Sequence, residues 1–314
     1  MNVSALSPDV PDYEHNATTH EFMNPWIEAM RLRTLPVSVA GVAAGTGCAI
    51  FRHGYSVLPM LICLLFAVVA QIASNFANEY YDFKNGLDKK GREGFRRGVT
   101  EGDISPRAMK RATFLLLILD SLLGCSLIFY GGWWLIAVGV AVALFALAYS
   151  TGPYPLSHHG LGDVAVVIFF GFVPVIFTEY VQTGFWHLDY VNLSVALAIG
   201  LMAANVLIVN NYRDRDDDAA VGKRTTVVIF GRRAMAMVYL LNGLIATLLL
   251  AIATTNAPIW TTAGWFGCVF CDFVLWQEMR DHHGAALNKI LKYTSLLLFG
   301  AALYLLLVMT LFPA

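Results

Sequence analysis

Nine apolar runs decide what this chain can fold into. They cover residues 36–51, 57–77, 112–130, 133–149, 164–181, 191–209, 234–254, 260–276 and 290–311. A helix needs about 20 mostly apolar residues to cross roughly 30 Å of hydrocarbon, and these runs approach or meet that length. They are continuous, without the alternation of a transmembrane strand, and in lipid only helices or closed barrels satisfy the backbone. The expected fold class is all-α: a polytopic membrane protein of nine transmembrane helices. Composition agrees, since 57% of the 314 residues are hydrophobic and 14% charged, against roughly 25% charged in soluble domains. A net charge of −1 provides no basic field, so no nucleic-acid partner is expected.

Residues 1–20 are polar and lack the basic start and apolar core of a secretory signal. They read as a mobile tail ahead of a single membrane domain spanning 21–314. Residues 24–33 read as an interfacial helix anchored by Trp26. With nine crossings, all of the 21 Lys and Arg except Arg52 fall on one side of the membrane. The positive-inside rule makes that side cytoplasmic, with the N-terminus inside and the C-terminus outside. All five cysteines (Cys48, Cys63, Cys125, Cys268, Cys271) lie in apolar runs. The last two have C-x-x-C spacing, but no His or further Cys accompanies them, so all five are expected to pack as small hydrophobes without disulfides.

Two oxygen-rich clusters grow directly out of apolar runs on the basic side. At the end of the second run Asn78 and Asp82 stand four residues apart, which places them on one helical face, and Asp88 follows after Gly86. At the end of the sixth run Asn210, Asp214 and Asp218 repeat the spacing. A mixed charge run at a helix end is ordinarily a solvated loop. The repeated Asn/Asp spacing, four helices apart on one side, argues instead for a built site. Carboxylates and amide carbonyls are hard oxygen donors suited to Mg²⁺, which typically takes one or two carboxylates together with substrate phosphates. Arg213, Lys223 and Arg224 near one cluster, and Arg96 and Arg97 after the other, supply the cations a polyanion requires. The combination describes a diphosphate whose hydrocarbon tail lies among helices.

Taken in order, these residues resemble the UbiA-type intramembrane prenyltransferases, most of all the branch that prenylates 1,4-dihydroxy-2-naphthoate in menaquinone biosynthesis. The resemblance runs from about Pro25 to the C-terminus. It rests on Asn78-Glu79-Tyr80-Tyr81-Asp82, with Asp88 beyond it, and on Asp214-Arg215-Asp216-Asp217-Asp218. Arg31-Leu32-Arg33-Thr34-Leu35-Pro36, Gly160-Leu161-Gly162-Asp163, Asn210-Asn211-Tyr212-Arg213 and Gly222-Lys223-Arg224-Thr225 support it.

The resemblance implies a UbiA-like helical bundle in the bacterial cytoplasmic (inner) membrane, with a site facing the cytoplasm and open sideways to lipid. It implies transfer of a polyprenyl group from polyprenyl diphosphate to 1,4-dihydroxy-2-naphthoate, with loss of CO₂ and diphosphate, giving demethylmenaquinone. Mg²⁺ is the implied cofactor, held by Asn78, Glu79, Asp82, Asp88, Asp214 and Asp218. Asp82, Asp214, Lys223 and Arg224 are the implied catalytic residues, and Arg31, Arg33, Arg97, Tyr149, His158 and Arg213 the implied substrate-binding residues. Tyr80, Tyr81, Tyr149, Phe169 and Phe170 are candidates to shield an allylic cation.

Two departures stand out. Glu79 occupies a position where the family usually has Asp, and Pro153 stands where many relatives carry a lysine after Tyr149, leaving His158 and His159 as candidate replacements for its charge. A prenyltransferase with another acceptor, such as 4-hydroxybenzoate or homogentisate, would use the same chemistry. A cation-dependent transporter would instead place its acidic groups near the bilayer midplane.

Overall fold

Every apolar run forms a helix in the computed structural model, which describes residues 24–90, 96–150 and 152–314. The tail expected at 1–20, Arg92 of the basic loop and Thr151 lie outside the described residues. The helices are α1 (Leu35–Phe51), α2 (Val57–Lys84), α3 (Pro106–Ser126), α4 (Leu135–Ser150), α5 (Gly162–Thr183), α6 (Tyr190–Ala220), α7 (Thr226–Ala253), α8 (Thr262–Asp281) and α9 (Leu287–Leu311). No strand occurs among the described residues.

Eight segments are long and apolar enough to cross a membrane, the first being Pro25–Phe51, in which the preceding short helix extends α1, and the chain is an integral membrane protein. The expectation of nine full spans needs correction at α4. Its 16 residues reach about 24 Å at ~1.5 Å per residue, short of the hydrocarbon thickness. The cause is local, because Gly132 (φ 87°) and Gly152 (φ 100°) adopt left-handed backbone on either side of it. The short helix still carries the chain from one end of the bundle to the other. At one end Trp134 meets Tyr180 edge-on and Trp186 at a tilt, Arg52 pairs with Asp189, and His53 meets the carbonyl of Ala314. At the opposite end Lys223 meets Asp82, Arg213 meets Asn288, and the Arg224 N–H donates to the His158 carbonyl.

The most buried helix is α6, which packs against α1, α5, α7 and α9. Small residues permit its close contacts. A Cβ added at Gly171 would stand 2.4 Å from the Ala196 carbonyl oxygen and 2.6 Å from Gly200 Cα. On α1, a Cβ at Gly45 would stand 2.5 Å from the Val175 carbonyl oxygen, while Gly47 abuts α9. Within α5, Val167–Phe172 form a π-helical turn just before Pro174. Proline cannot donate to the carbonyl four residues back and its ring crowds that carbonyl, so the turn widens there.

Two side-chain expectations change. Trp26 lies in a short helix, Pro25–Met30, capped by Asn24, and packs on Phe76 with ring centroids 5.6 Å apart, so part of its face is taken up within the bundle. All five cysteines are free, but only Cys48 and Cys63 are buried, whereas Cys125 and Cys271 are exposed on the bundle surface.

The packing predicts an asymmetric glycine series. Gly171→Val should lower stability by about 1–3 kcal/mol through overpacking, seen as reduced thermal unfolding temperature in detergent. Gly300→Ala, with no atom within 4 Å of the new Cβ, should be neutral or slightly stabilising.

Candidate active site

The C-terminal ends of α2 and α6 carry the two oxygen-rich clusters because each helix continues past its apolar run without a turn residue. Between them lies a cavity of about 330 Å³ lined by Asn78, Asp82, Asn210, Asn211, Asp214 and Asp218. The two sets therefore share one hollow. From this polar end the cavity continues down past Gln71, Phe145, Phe170 and Phe177 to Cys63 and Val181 near the far end of the bundle.

Cations hold the first cluster together. Lys223 Nζ donates to Asp82 Oδ2 at 3.0 Å, joining the α6–α7 loop to α2. Arg97 donates to Asn78 Oδ1 at 3.1 Å and lies 3.5 Å from both Asp82 and Asp88. Arg31 reaches Asn78 Oδ1 at 3.4 Å. Arg97 is brought in by a short segment folded over the end of α2. There the Val99 N–H donates to Glu79 Oε1 at 3.0 Å, and Arg96 grips Asp103 through two nitrogens at 3.0 and 2.6 Å. In the second cluster Arg213 makes a two-nitrogen contact with Asp214 at 2.7 and 2.8 Å, and also donates to Asn210 and Asn288.

These contacts sort the expected site residues. Asn78, Asp82, Asp214, Asp218, Arg31, Arg97, Tyr149 and Lys223 line the cavity. Asp88 stands behind Arg97, and Arg213 behind Asp214. Glu79 is buried against the Val99 segment, off the cavity wall, so the expected ligand acts here as a backbone acceptor. Arg33 and Arg224 are exposed and do not line the cavity. His158 Nε2 lies 4.0 Å from Asp82 Oδ1. Burial, and then the neighbouring Lys223 ammonium, lower its imidazole pKa against the pull of Asp82.

Of the aromatic candidates, Tyr149, Phe169 and Phe170 line the cavity and Tyr80 and Tyr81 do not. Phe145 stacks on Phe169 with ring centroids 3.9 Å apart. Sequence reasoning missed Phe66, Phe145 and Phe177, because nothing in an apolar run marks which face meets a cavity. It also gave no role to Asp163, which lines the cavity beside Thr226.

The donor set suits a hard divalent cation. Asp82 Oδ1 is buried with no hydrogen-bond partner among the described residues, so one carboxylate oxygen is left for a ligand. Among the described residues no three His, Cys, Asp or Glu group closely enough to hold a metal by themselves. A metal here would complete its shell from Asn oxygens and from a ligand's own oxygens, as Mg²⁺ commonly does.

Arg213 offers a test of the second cluster. Arg213→Ala removes the two-nitrogen contact to buried Asp214, and losing one partner of a buried pair costs about 3–5 kcal/mol. The variant should unfold at markedly lower temperature in detergent, and Asp214→Asn in the same background should recover part of the loss.

Comparison with known proteins gives a consistent result. The description "UbiA prenyltransferase family" matches residues 35–298. A 1,4-dihydroxy-2-naphthoate octaprenyltransferase of Mycobacterium tuberculosis is 37% identical over 73% of this chain and 78% of its own length. Proteins of the same description from Escherichia coli and Haemophilus influenzae are each 33% identical, over 86% and 77% of this chain and 89% and 81% of their own lengths. Among solved structures, a UbiA homolog from Archaeoglobus fulgidus bound to DMAPP and Mg²⁺ has a TM-score of 0.63 at 15% identity, covering 89% of this chain and 99% of that one. The apo structure of a UbiA homolog from Aeropyrum pernix has a TM-score of 0.65 at 14% identity, covering 85% and 96%.

Proposed function

We propose that this chain, which belongs to the UbiA prenyltransferase family, transfers a polyprenyl group from polyprenyl diphosphate to 1,4-dihydroxy-2-naphthoate. Relatives over most of its length carry that activity in their names. CO₂ and diphosphate leave, and the direct product is demethylmenaquinol, the reduced form of demethylmenaquinone, since the transfer leaves the ring at the hydroquinone level. The observation that carries the reading is the single cavity joining Asn78 and Asp82 of α2 to Asp214 and Asp218 of α6.

Asn78, Asp82, Asp214 and Asp218 would hold Mg²⁺, which supplies charge neutralisation to the oxygens of the leaving diphosphate. The chain's own cations work alongside. Lys223 and Arg97, now paired with Asp82, exchange that carboxylate for diphosphate oxygens when the donor binds. Arg31, on the same wall, takes up either the diphosphate or the acceptor carboxylate. Arg213 fixes the rotamer of Asp214, and Asp88 that of Arg97. The diphosphate's C–O bond breaks with its electron pair on oxygen, leaving an allylic cation. The faces of Tyr149, Phe169 and Phe170, with Phe145 and Phe177, stabilise that cation and exclude water from it. The donor's tail occupies the apolar length of the cavity toward Val181.

The basic residues at the cavity end, by the positive-inside rule, support a site that faces the cytoplasm from the inner membrane. A cysteine introduced at Asp103 should react with impermeant maleimide only in inverted vesicles; labelling of intact spheroplasts would reverse the topology.

Asp82→Asn and Asp214→Asn should each lower Mg²⁺-dependent prenylation in detergent by at least about a hundredfold, the loss typical of removing charge stabilisation from a transition state. Near-normal turnover by both would remove the proposed roles. Diphosphate release only when dihydroxynaphthoate and a polyprenyl diphosphate are both present separates the enzyme from a carrier, and a panel of acceptors against one donor fixes the ring that is used.

A further inference from the structure

Asp163 belongs to neither oxygen-rich cluster, yet it stands at the start of α5 on the wall of the same cavity. One oxygen, Oδ2, accepts a hydrogen bond from Thr226 Oγ1 at 2.6 Å. The other, Oδ1, is buried without a hydrogen-bond partner among the described residues. A buried carboxylate oxygen left unpaired costs free energy, so its retention on a cavity wall calls for a ligand that donates to it.

The surroundings say what kind of ligand. The Tyr149 hydroxyl, itself on the cavity wall, would lie 3.5 Å from a Cβ built at Gly162. It lies within electrostatic reach of Asp163, Arg31, Asp218 and Asp82. This corner therefore sits between the oxygen-rich end and the aromatic walls. Thr226 is tied to one oxygen, and among the described residues no cation pairs with the other. A second diphosphate contact is disfavoured, because anion would face anion. A neutral O–H donor on a flat ring fits.

We propose that Asp163, positioned by Thr226, accepts a hydrogen bond from a phenolic hydroxyl of the aromatic acceptor and takes its proton during prenyl transfer. The proposal rests on the prenyltransferase reading above and extends it to a residue for the acceptor. As the ring carbon bonds to the allylic cation, the hydroxyl O–H bond breaks. Its proton goes to Asp163 Oδ1 and its electron pair goes into a ring carbonyl. When CO₂ leaves, the pair of the broken C–C bond stays on the ring, and the carbonyl oxygen recovers the proton from Asp163. No proton, oxidant or reductant is gained or lost over the sequence.

The test compares 1,4-dihydroxy-2-naphthoate with its hydroxyl-deleted and hydroxyl-methylated analogues, first by equilibrium binding to detergent-solubilised protein. Wild type should bind the parent at least about tenfold tighter than the analogue lacking the contacted hydroxyl, as expected for a site that hydrogen-bonds its ligand. Asp163→Ala should abolish that difference and leave affinity for polyprenyl diphosphate unchanged. Asp163→Asn, which can accept the hydrogen bond but not hold the proton, should keep the discrimination while kcat falls about a hundredfold, the range of general-base catalysis. A purely structural residue would not separate binding from turnover in this way. Thr226→Val, which leaves the carboxylate in place, should weaken discrimination less than Asp163→Ala. Equal affinity for parent and analogues in wild type, or discrimination that survives Asp163→Ala, would overturn the assignment. Because binding is read without turnover, a wild type that binds selectively but never transfers a prenyl group would refute the reaction and not the subsite.

Discussion

Carboxylates at the end of a membrane bundle must be neutralised, and the rest of this site follows from how that is done. Asp82 and Asp214 are almost fully buried, where an unpaired charge is prohibitive. The protein resolves this with guanidinium and ammonium groups drawn from separate segments. Arg97 comes from the loop over α2, Lys223 from the loop after α6, and Arg213 from α6 itself. These pairs also join the two halves of the bundle, since Lys223 crosses from the α6–α7 loop to α2. The same cations that stabilise the free protein are the ones a diphosphate would recruit, so in the proposed reaction ligand binding would exchange partners within a fixed set of charges.

Much of this was legible in the chain. The apolar runs gave every helix, because the bilayer imposes one length and one polarity on each. The spacing of Asn78 and Asp82, and of Asn210, Asp214 and Asp218, gave the shared cavity lining, because a helix with a fixed period leaves little choice of face. Length arithmetic failed at α4, where glycines on either side shorten a run that reads as a span. The acidic motif likewise does not reveal that one oxygen of Glu79 accepts from the Val99 backbone. Contacts between segments distant in sequence, such as Lys223 with Asp82 or Thr226 with Asp163, leave no periodic trace. They become visible only when the helices are packed.

The contrast between α6 and α4 shows how the fold divides its work. The buried helix is fixed by close glycine contacts that no side chain could tolerate, and it carries the anionic end of the cavity rigidly. Opposite it, α4 packs on α2 and α3 and makes little contact with α5 beyond the Phe145–Phe169 stack. One wall is a frame, and the other is a thin partition.

That partition is also low. A helix of 16 residues facing a hydrocarbon layer of roughly 30 Å obliges the surrounding lipid to thin or tilt, at a cost of fractions of a kcal/mol per ångström of mismatch. Such a mismatch would be felt on the flank that α4 forms, where Phe145 meets Phe169. For the polyprenyl donor of the proposed reaction, a thinned layer on that side would offer a passage from acyl chains to aromatic lining that need not cross water.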